Sequence, residues 1–409
     1  MAARRTFVGY GPPCAQGRAT GGLWLPWQPE RRGVFSGAAP TESRTRAAAG
    51  VEETRVREAV PLRRDVRRRP AVAMQPVVDP AGWTADEIAR SSEGTHLLSN
   101  RHIAELDSAI AALHEQGLGL LDITRERFPL PTLGPLLRDI REELLDGCGF
   151  ALIRGFPVAR YAIEDAAMAF YGIGAWLGRA VSQNAKGHVL GHVRALGGHA
   201  QANPLHRGYQ TNEALRFHAD SCDIVGLLCL RAAKSGGLSA VASSITVYNA
   251  LLERRPDLVA ELVRQWYMDR RGEVPAGKKP WYRLAVYSVK DGYMSSRGGG
   301  THIMSAQRFP EVPRLTDAQR EALEVKARLT EELCLYQTFE PGDMQFLHNH
   351  VMLHARTAYE DYDEPERKRH LLRLWLTTDG ARPLVAAYAE RINGIVVPGS
   401  RLTAPLAAE

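Results

Sequence analysis

Two residues in the middle of the chain, His218 and Asp220, carry the clearest chemical signal. In an extended segment residues i and i+2 project to one face, so Phe217-His218-Ala219-Asp220 presents an imidazole and a carboxylate together. That pair supplies two ligands for a divalent metal. A second imidazole from another strand completes a facial triad of two histidines and one carboxylate. Such a triad leaves coordination positions free on its far side and suits non-haem Fe(II) oxygenases. The same ligand types suit Zn(II), so a metal-dependent hydrolase or isomerase on a related fold stands as the alternative. With 13 histidines in the chain, one His-x-acid pair is expected by chance, and the argument needs support from elsewhere.

That support is a block near the C-terminus. Glu340-Pro341-Gly342-Asp343 reads as a turn opening a strand, Met344-Gln345-Phe346-Leu347. Asn349 follows, then His354 within Leu353-His354-Ala355-Arg356-Thr357. A polar loop leads on to Arg369-His370-Leu371-Leu372-Arg373-Leu374-Trp375-Leu376, where alternation puts Arg369, Leu371, Arg373 and Trp375 on one face. An arginine among apolar neighbours on a core strand is costly unless it meets an anion. A dicarboxylate is such an anion, because a guanidinium can grip a carboxylate with two parallel hydrogen bonds. A hydrolase has no evident use for Arg373 there.

The ordered set His218-x-Asp220, Gly236-Gly237-x-Ser239, Pro341-Gly342-Asp343, Asn349, His354, Arg369 and Arg373 resembles the taurine dioxygenase (TauD/TfdA-like) family. The resemblance covers roughly residues 140–385. It implies a mixed α/β, mainly β fold with a double-stranded β-helix (jelly-roll) core and flanking helices. It also implies Fe(II), 2-oxoglutarate as co-substrate, O2, a small-molecule substrate, and release of succinate and CO2. Position by position, His218, Asp220 and His354 match the family's metal ligands. Arg373 matches the arginine that binds the distal carboxylate of 2-oxoglutarate, and Arg369 a second arginine near it. Ser239 stands where the family often has a threonine that hydrogen-bonds the same co-substrate. The loop between His354 and Arg373 is a few residues longer than in taurine dioxygenase itself. Asp220, where Gly or Ala would open a halide site, implies hydroxylation or desaturation. In the family, segments placed like Gln183–Gly187 and Tyr209–Glu213 line the substrate pocket, which makes Gln183, Asn184 and Asn212 candidate substrate contacts. Turn or capping duty is the plain reading of the same residues. His348 and His350 flank Asn349 as outer partners of the metal site or as loop histidines, and Arg356 faces either the cavity or a salt bridge. Arg297-Gly298-Gly299-Gly300 reads as a mobile lid loop.

Several elements must position these residues. Thr84-Ala85-Asp86-Glu87 has the form of a helix cap. Helical spacing follows over 100–116, 133–146 and 163–177, with further helices expected at 246–253 and 316–332. Strands are expected at 150–156, 224–230, 239–243, 284–289, 334–339, 344–348 and 370–377. Many short strands around a few helices point to a sandwich or jelly roll.

Composition narrows the remaining classes. The net charge of +6 is carried by the N-terminus: residues 1–73 hold 14 Arg, no Lys and 6 acidic residues, whereas the remainder holds 38 basic and 40 acidic. A nucleic-acid partner for the body is therefore not expected, and a scaffold using the basic segment leaves the C-terminal block unexplained. Residues 1–75 read as a disordered Arg-rich tail, 76–390 as the oxygenase domain and 391–409 as a C-terminal tail. The tail reads as an extension upstream of a start at Met74, with organelle targeting and a basic patch as the other readings. No apolar run approaches the roughly 20 residues of a membrane-spanning helix. Five scattered cysteines, none in a CxxC pair, fit buried thiols in a reducing compartment, and the location expected is cytoplasmic. The sequence leaves room for a homo-oligomer.

Overall fold

The long apolar runs Ile-Val-Gly-Leu-Leu-Cys-Leu and His-Leu-Leu-Arg-Leu-Trp-Leu pair with each other antiparallel, and everything near the site is hung on that pair. The computed structural model describes residues 64–196, 208–390, 394–395, 399 and 401–407. In chain order, the strands of the two facing sheets begin with β1 (Thr95–Leu97), β2 (Phe150–Arg154), β3 (Arg179–Ala180), β4 (Leu190–Val193) and β5 (Leu215–His218). They continue with β6 (Ile224–Arg231), β7 (Ser239–Ser243), β8 (Leu335–Gln337), β9 (Met344–His348), β10 (Met352–Arg356) and β11 (His370–Thr377).

The larger sheet runs β1-β2-β9-β6-β11-β3, with β4 also on β11. The smaller runs β8-β7-β10-β5. Apart from the parallel β1–β2 pair, every pairing in these two sheets is antiparallel. A hydrogen bond from Ser239 Oγ on β7 to Gln345 Oε1 on β9 (3.2 Å) spans the gap between the sheets. This is the expected jelly roll.

The larger sheet is buried on both sides, which explains why β6 and β11 read as continuous apolar runs. Its outer face packs against the helices Asn100–Glu115, Leu133–Asp146 and Ile163–Leu177. In the second of these Leu137, Ile140 and Leu144 are fully buried at i, i+3 and i+7. Each such side chain contributes about 1.5–3 kcal/mol. Thr84 and Thr316 cap their helices as expected, each with a reciprocal capping box. The turn before β9 needs glycine: Gly342 has φ 96°, and a Cβ there would collide with the Phe156 carbonyl.

Several expectations are corrected. The single strand foreseen over 284–289 is two, Trp281–Ala285 and Tyr287–Lys290, each in its own hairpin with Gln265–Asp269 or Tyr293–Ser296. β10, which carries His354, was not foreseen, because its Met-Leu-His-Ala-Arg pattern is too short and mixed to stand out. The domain boundary at 75 cuts through packed chain. Arg68 and Arg382 share the buried Asp79 carboxylate (2.9 Å each), Ala71 N donates to Gly292 O, and Met74 N donates to the Tyr248 hydroxyl. Residues 64–73 therefore have a structural place on the body, and most of the Arg-rich tail lies outside the described residues. The C-terminal tail is likewise not free, since residues 401–407 lie against the body through Thr403 and Pro405. All four described cysteines are buried and unpaired. Among the described residues no helix is long and apolar enough to cross a membrane.

Candidate metal centre and co-substrate chamber

His354 on β10 lies next to His218 at the end of β5, so strand pairing alone brings the two imidazoles together. Their ring centres are 4.2 Å apart. Asp220, just beyond β5, places its carboxylate oxygens 3.8 Å from His218 Nε2 and 3.9 Å from His354 Nε2. One ligand atom from each residue falls within 4.8 Å of the others, a spacing that a single metal ion can bridge. The protonation states fit a ligand set. His218 Nδ1 donates to the Arg216 carbonyl (2.9 Å), which leaves Nε2 as a lone-pair donor. Burial pushes both imidazoles down, His354 to about 3, so both are neutral. Burial would raise Asp220, but the Arg373 guanidinium beside it leads the opposing interactions, with the Trp375 hydrogen bond adding to them, and the acid is held at about 2. Two neutral imidazoles and one carboxylate suit Fe(II).

The three candidate ligands are themselves oriented. The Trp375 indole donates to Asp220 Oδ2 (2.8 Å), and Asn349 Oδ1 accepts from Asp220 N (3.0 Å). Arg297 is buried and spends its guanidinium on the backbone of the metal loop, donating to Ala219 O (2.7 Å), Asp220 O (3.3 Å) and Ser221 Oγ (2.9 Å). The next residue, Gly298 at φ 67°, sits so close that a Cβ would press on Ala219 N at 3.1 Å. The expected mobile lid is thus a clamp, and its glycines lead into a helix, Gly300–Ala306. His350 does not reach the metal position: its Nε2 is bonded to Asp223 Oδ1 (2.9 Å). His348 is fully buried on β9.

The arginines fall into two settings. Arg373 lies beside the metal site, with Nη1 3.7 Å from Asp220 Oδ2 and Nε donating to Gln183 Oε1 (2.7 Å). Its guanidinium stacks 4.5 Å from the Tyr209 ring centre. Arg369 is buried near Gly237, across the Tyr359 ring from Arg356. Arg356 is directly opposite Ser239 in the β7–β10 ladder, so both face the interior with His354. Among the described residues, Nη1 of Arg369 and both Nε and Nη1 of Arg356 are buried without a hydrogen-bond partner. Burial, with Arg369 beside it, pulls Arg356 down to about 10. Among the described residues the salt bridge that was the alternative for Arg356 is not formed; its Nη2 bonds the carbonyls of Thr211 and Glu213.

Residues 109–375 match the family described as "Taurine catabolism dioxygenase TauD, TfdA family". The chain belongs to the TauD/TfdA family of dioxygenases. It is 34% identical over 320 residues to an FR-33289 synthase of Streptomyces rubellomurinus, covering 76% of this chain and 93% of that protein. It is 32% identical over 305 residues to the taurine hydroxylase-like protein SAT17 of Stachybotrys chartarum, covering 72% of this chain and 78% of that one. Among solved structures, the fold resembles an asparagine oxygenase in complex with Fe(II), 3-hydroxyasparagine and succinate. The TM-score is 0.55 at 16% identity, over 70% of this chain and 94% of that one. It also resembles the non-haem iron oxygenase OrfP in complex with Fe, succinate and (3S)-hydroxy-L-Arg. There the TM-score is 0.54 at 16% identity, over 73% of this chain and 99% of that one. The chain is a 2-oxoglutarate-dependent non-haem iron dioxygenase. The hydrolase alternative falls away.

In this TauD/TfdA-family chain a cavity opens beside Arg373, lined also by Gln183, Asn184, Tyr209 and Gln210. Of the three substrate candidates, the structure brings two there. Gln183 is buried and fully committed: its Nε2 donates to Val189 O (3.0 Å) and Arg373 O (2.8 Å), and its Oε1 takes Arg373 Nε. Gln183 therefore positions Arg373. Asn184 borders the cavity but spends Oδ1 on the turn, accepting from Lys186 N (2.9 Å) and His188 N (3.3 Å). Asn212 is exposed and away from the cavity, and its carbonyl accepts from Tyr359 N. Sequence reasoning reached Tyr209 only as part of a pocket-lining segment and Arg297 only as part of the expected lid loop, and gave neither side chain a role of its own. Trp375 was legible in the alternation of β11, on the face of Arg373.

Proposed function

We propose that His218, Asp220 and His354 hold the Fe(II) of this dioxygenase and that Arg369 and Ser239, not Arg373, receive the distal carboxylate of 2-oxoglutarate. The observation that carries the arginine assignment is the set of unpartnered guanidinium nitrogens on Arg356 and Arg369. Buried guanidinium N–H groups without an acceptor are costly even with the Asp361 carboxylate nearby, and a carboxylate seated there offsets that cost with charge-assisted hydrogen bonds. Arg373 has no such need, since Gln183 and Asp220 already engage it. Its role on this reading is to take an acidic group of the substrate close to the metal. The substrate is then a small, polar, acid-bearing molecule, oxidised at a C–H bond by hydroxylation or desaturation.

Bound iron supplies the redox chemistry, coupling O2-driven decarboxylation of 2-oxoglutarate to oxidation of that C–H bond. The chain's own groups orient the parts. Trp375 and Asn349 fix Asp220, neutral imidazoles leave their Nε2 lone pairs free, and Gln183 holds the Arg373 guanidinium flat over Tyr209. The positioning of the acid end of the substrate decides which C–H bond faces the metal.

Calorimetric titration of Mn(II)-loaded protein with 2-oxoglutarate tests the assignment. Arg369→Ala is expected to weaken binding by about 2–4 kcal/mol, the scale of breaking a buried charge pair. Arg373→Ala is expected to stay within about fivefold of the parent. The reverse pattern would return the co-substrate role to Arg373.

A further inference from the structure

We infer that the C-terminal segment 401–407 is a fixed wall of the substrate pocket and sets the size of molecule that reaches Arg373. The inference rests on Arg373 being the substrate-side arginine. Its own support is a set of contacts that none of the metal or co-substrate residues needs.

The segment is docked by backbone pairing. Thr403 forms a parallel bridge with His188, with Val189 N donating to Thr403 O (2.8 Å) and Thr403 N donating to Gly187 O (2.9 Å). These bonds continue the strand pair that carries Gln183, since Gln183 N donates to His188 O (2.8 Å). Ala404 and Leu406 turn inward and pack on the main core, while Pro405 and Ala407 face the cavity shared with Arg373 and Tyr209. The cavity measures about 370 Å³ with its mouth included, at the small end for a ligand site.

A buried histidine pair latches the wall to the strand of the arginines. His192 Nε2 bonds the Pro405 carbonyl (2.8 Å), so that nitrogen carries the proton and Nδ1 is an acceptor. Nδ1 then accepts from His370 Nε2 (2.7 Å), and His370 Nδ1 accepts from Arg231 Nη2 (3.1 Å). Each hydrogen bond in the chain has one donor and one acceptor when both rings are neutral. Burial keeps them so, with His370 held at about 3. His370 opens β11, directly after Arg369 and three residues before Arg373, so the wall is tied to the strand that carries Arg373.

The test uses arginine-specific dicarbonyl reagents of two sizes, methylglyoxal and phenylglyoxal, with adducts at Arg373 followed by peptide mass mapping. Three proteins are compared: the full chain, a chain lacking 401–409, and Ala407→Trp, which fills the wall from within. Removing the segment is expected to raise phenylglyoxal modification of Arg373 at least tenfold and methylglyoxal modification much less. Ala407→Trp is expected to lower both at least threefold. Arg369, which is not at this cavity, serves as the internal reference and should react at one rate throughout. Equal Arg373 rates in all three proteins would overturn the inference. So would a rise at Arg373 matched by an equal rise at Arg369. If the truncated chain does not fold, unchanged rates in Ala407→Trp overturn it alone. Failure of the broader assignment would show separately, as loss of 2-oxoglutarate binding in Arg373→Ala.

Discussion

At the Arg369 end of the chamber, three guanidinium nitrogens of Arg356 and Arg369 are buried with no partner among the described residues, whereas at the Arg373 end the buried polar groups are already engaged. Gln183 uses both of its amide atoms, and Arg373 has Gln183, Asp220 and the Tyr209 ring around it. The contrast separates two kinds of binding. An unsatisfied pair of cations is costly when empty, and suits a co-substrate that must be present at every turnover. A satisfied, pre-oriented arginine is stable when empty, and can wait for a substrate without distorting the metal site.

The comparison can be broken at several points. The largest effect is expected at the metal, which both ends need. His218→Ala or Asp220→Ala should abolish turnover while leaving the far-UV spectrum and melting profile close to the parent, because neither residue belongs to the apolar core. Full activity in either variant would remove it from the site. Next in size is the divergence of Arg369→Ala from Arg373→Ala in 2-oxoglutarate affinity, already described. Smaller is Trp375→Phe, which removes the 2.8 Å bond to Asp220 and keeps the ring. Outer partners of this kind are worth roughly 10-fold in metal affinity. A competition titration with a chelator should show that loss, and no loss would mean that the Trp375 hydrogen bond does not orient the carboxylate.

The smallest effect sharpens the electrostatic side. Lys326 is also buried, on the helix Asp317–Glu332, but lies at neither end of the chamber. Burial lowers it from 10.5 to about 8, so this cation gives up its proton where an arginine cannot. The folded value lies below the unfolded one, so the unfolded chain binds more protons between pH 8 and 10.5, and stability rises with pH across that window. Lys326→Met should raise the melting temperature at pH 7 and flatten that rise, by up to roughly 3 kcal/mol. An unchanged pH profile would show that Lys326 is solvated in solution.

Much of this was legible in the sequence, for identifiable reasons. β6 and β11 were readable because a sheet covered on both faces leaves an unbroken apolar run. The juxtaposition of His218 and Asp220 was readable because alternation puts them on one face. The division of labour proposed for Arg369 and Arg373 was not, since in the sequence both stand at alternate positions of one run and differ only in what surrounds them in space. Asn212 is exposed and does not line the cavity beside Arg373, and this was not legible for the related reason that a polar segment beside a pocket shows no sign of which side chain turns inward. Arg297 was hidden in a glycine-rich stretch that reads as flexible. Its rigidity comes from two carbonyls and a serine hydroxyl of a loop 76 to 78 residues away in the chain. The wall at 401–407 follows from backbone pairing to His188, and backbone pairing of this kind leaves no residue pattern behind.

The most direct test of the central claim is an anaerobic titration of metal-free protein, first with Fe(II) and then with 2-oxoglutarate, followed in the visible spectrum. A weak charge-transfer band that appears only when both are present, and that needs His218, Asp220 and His354, is the predicted result. Folded protein that binds neither, or that binds Fe(II) without the band when 2-oxoglutarate is added, would contradict the account.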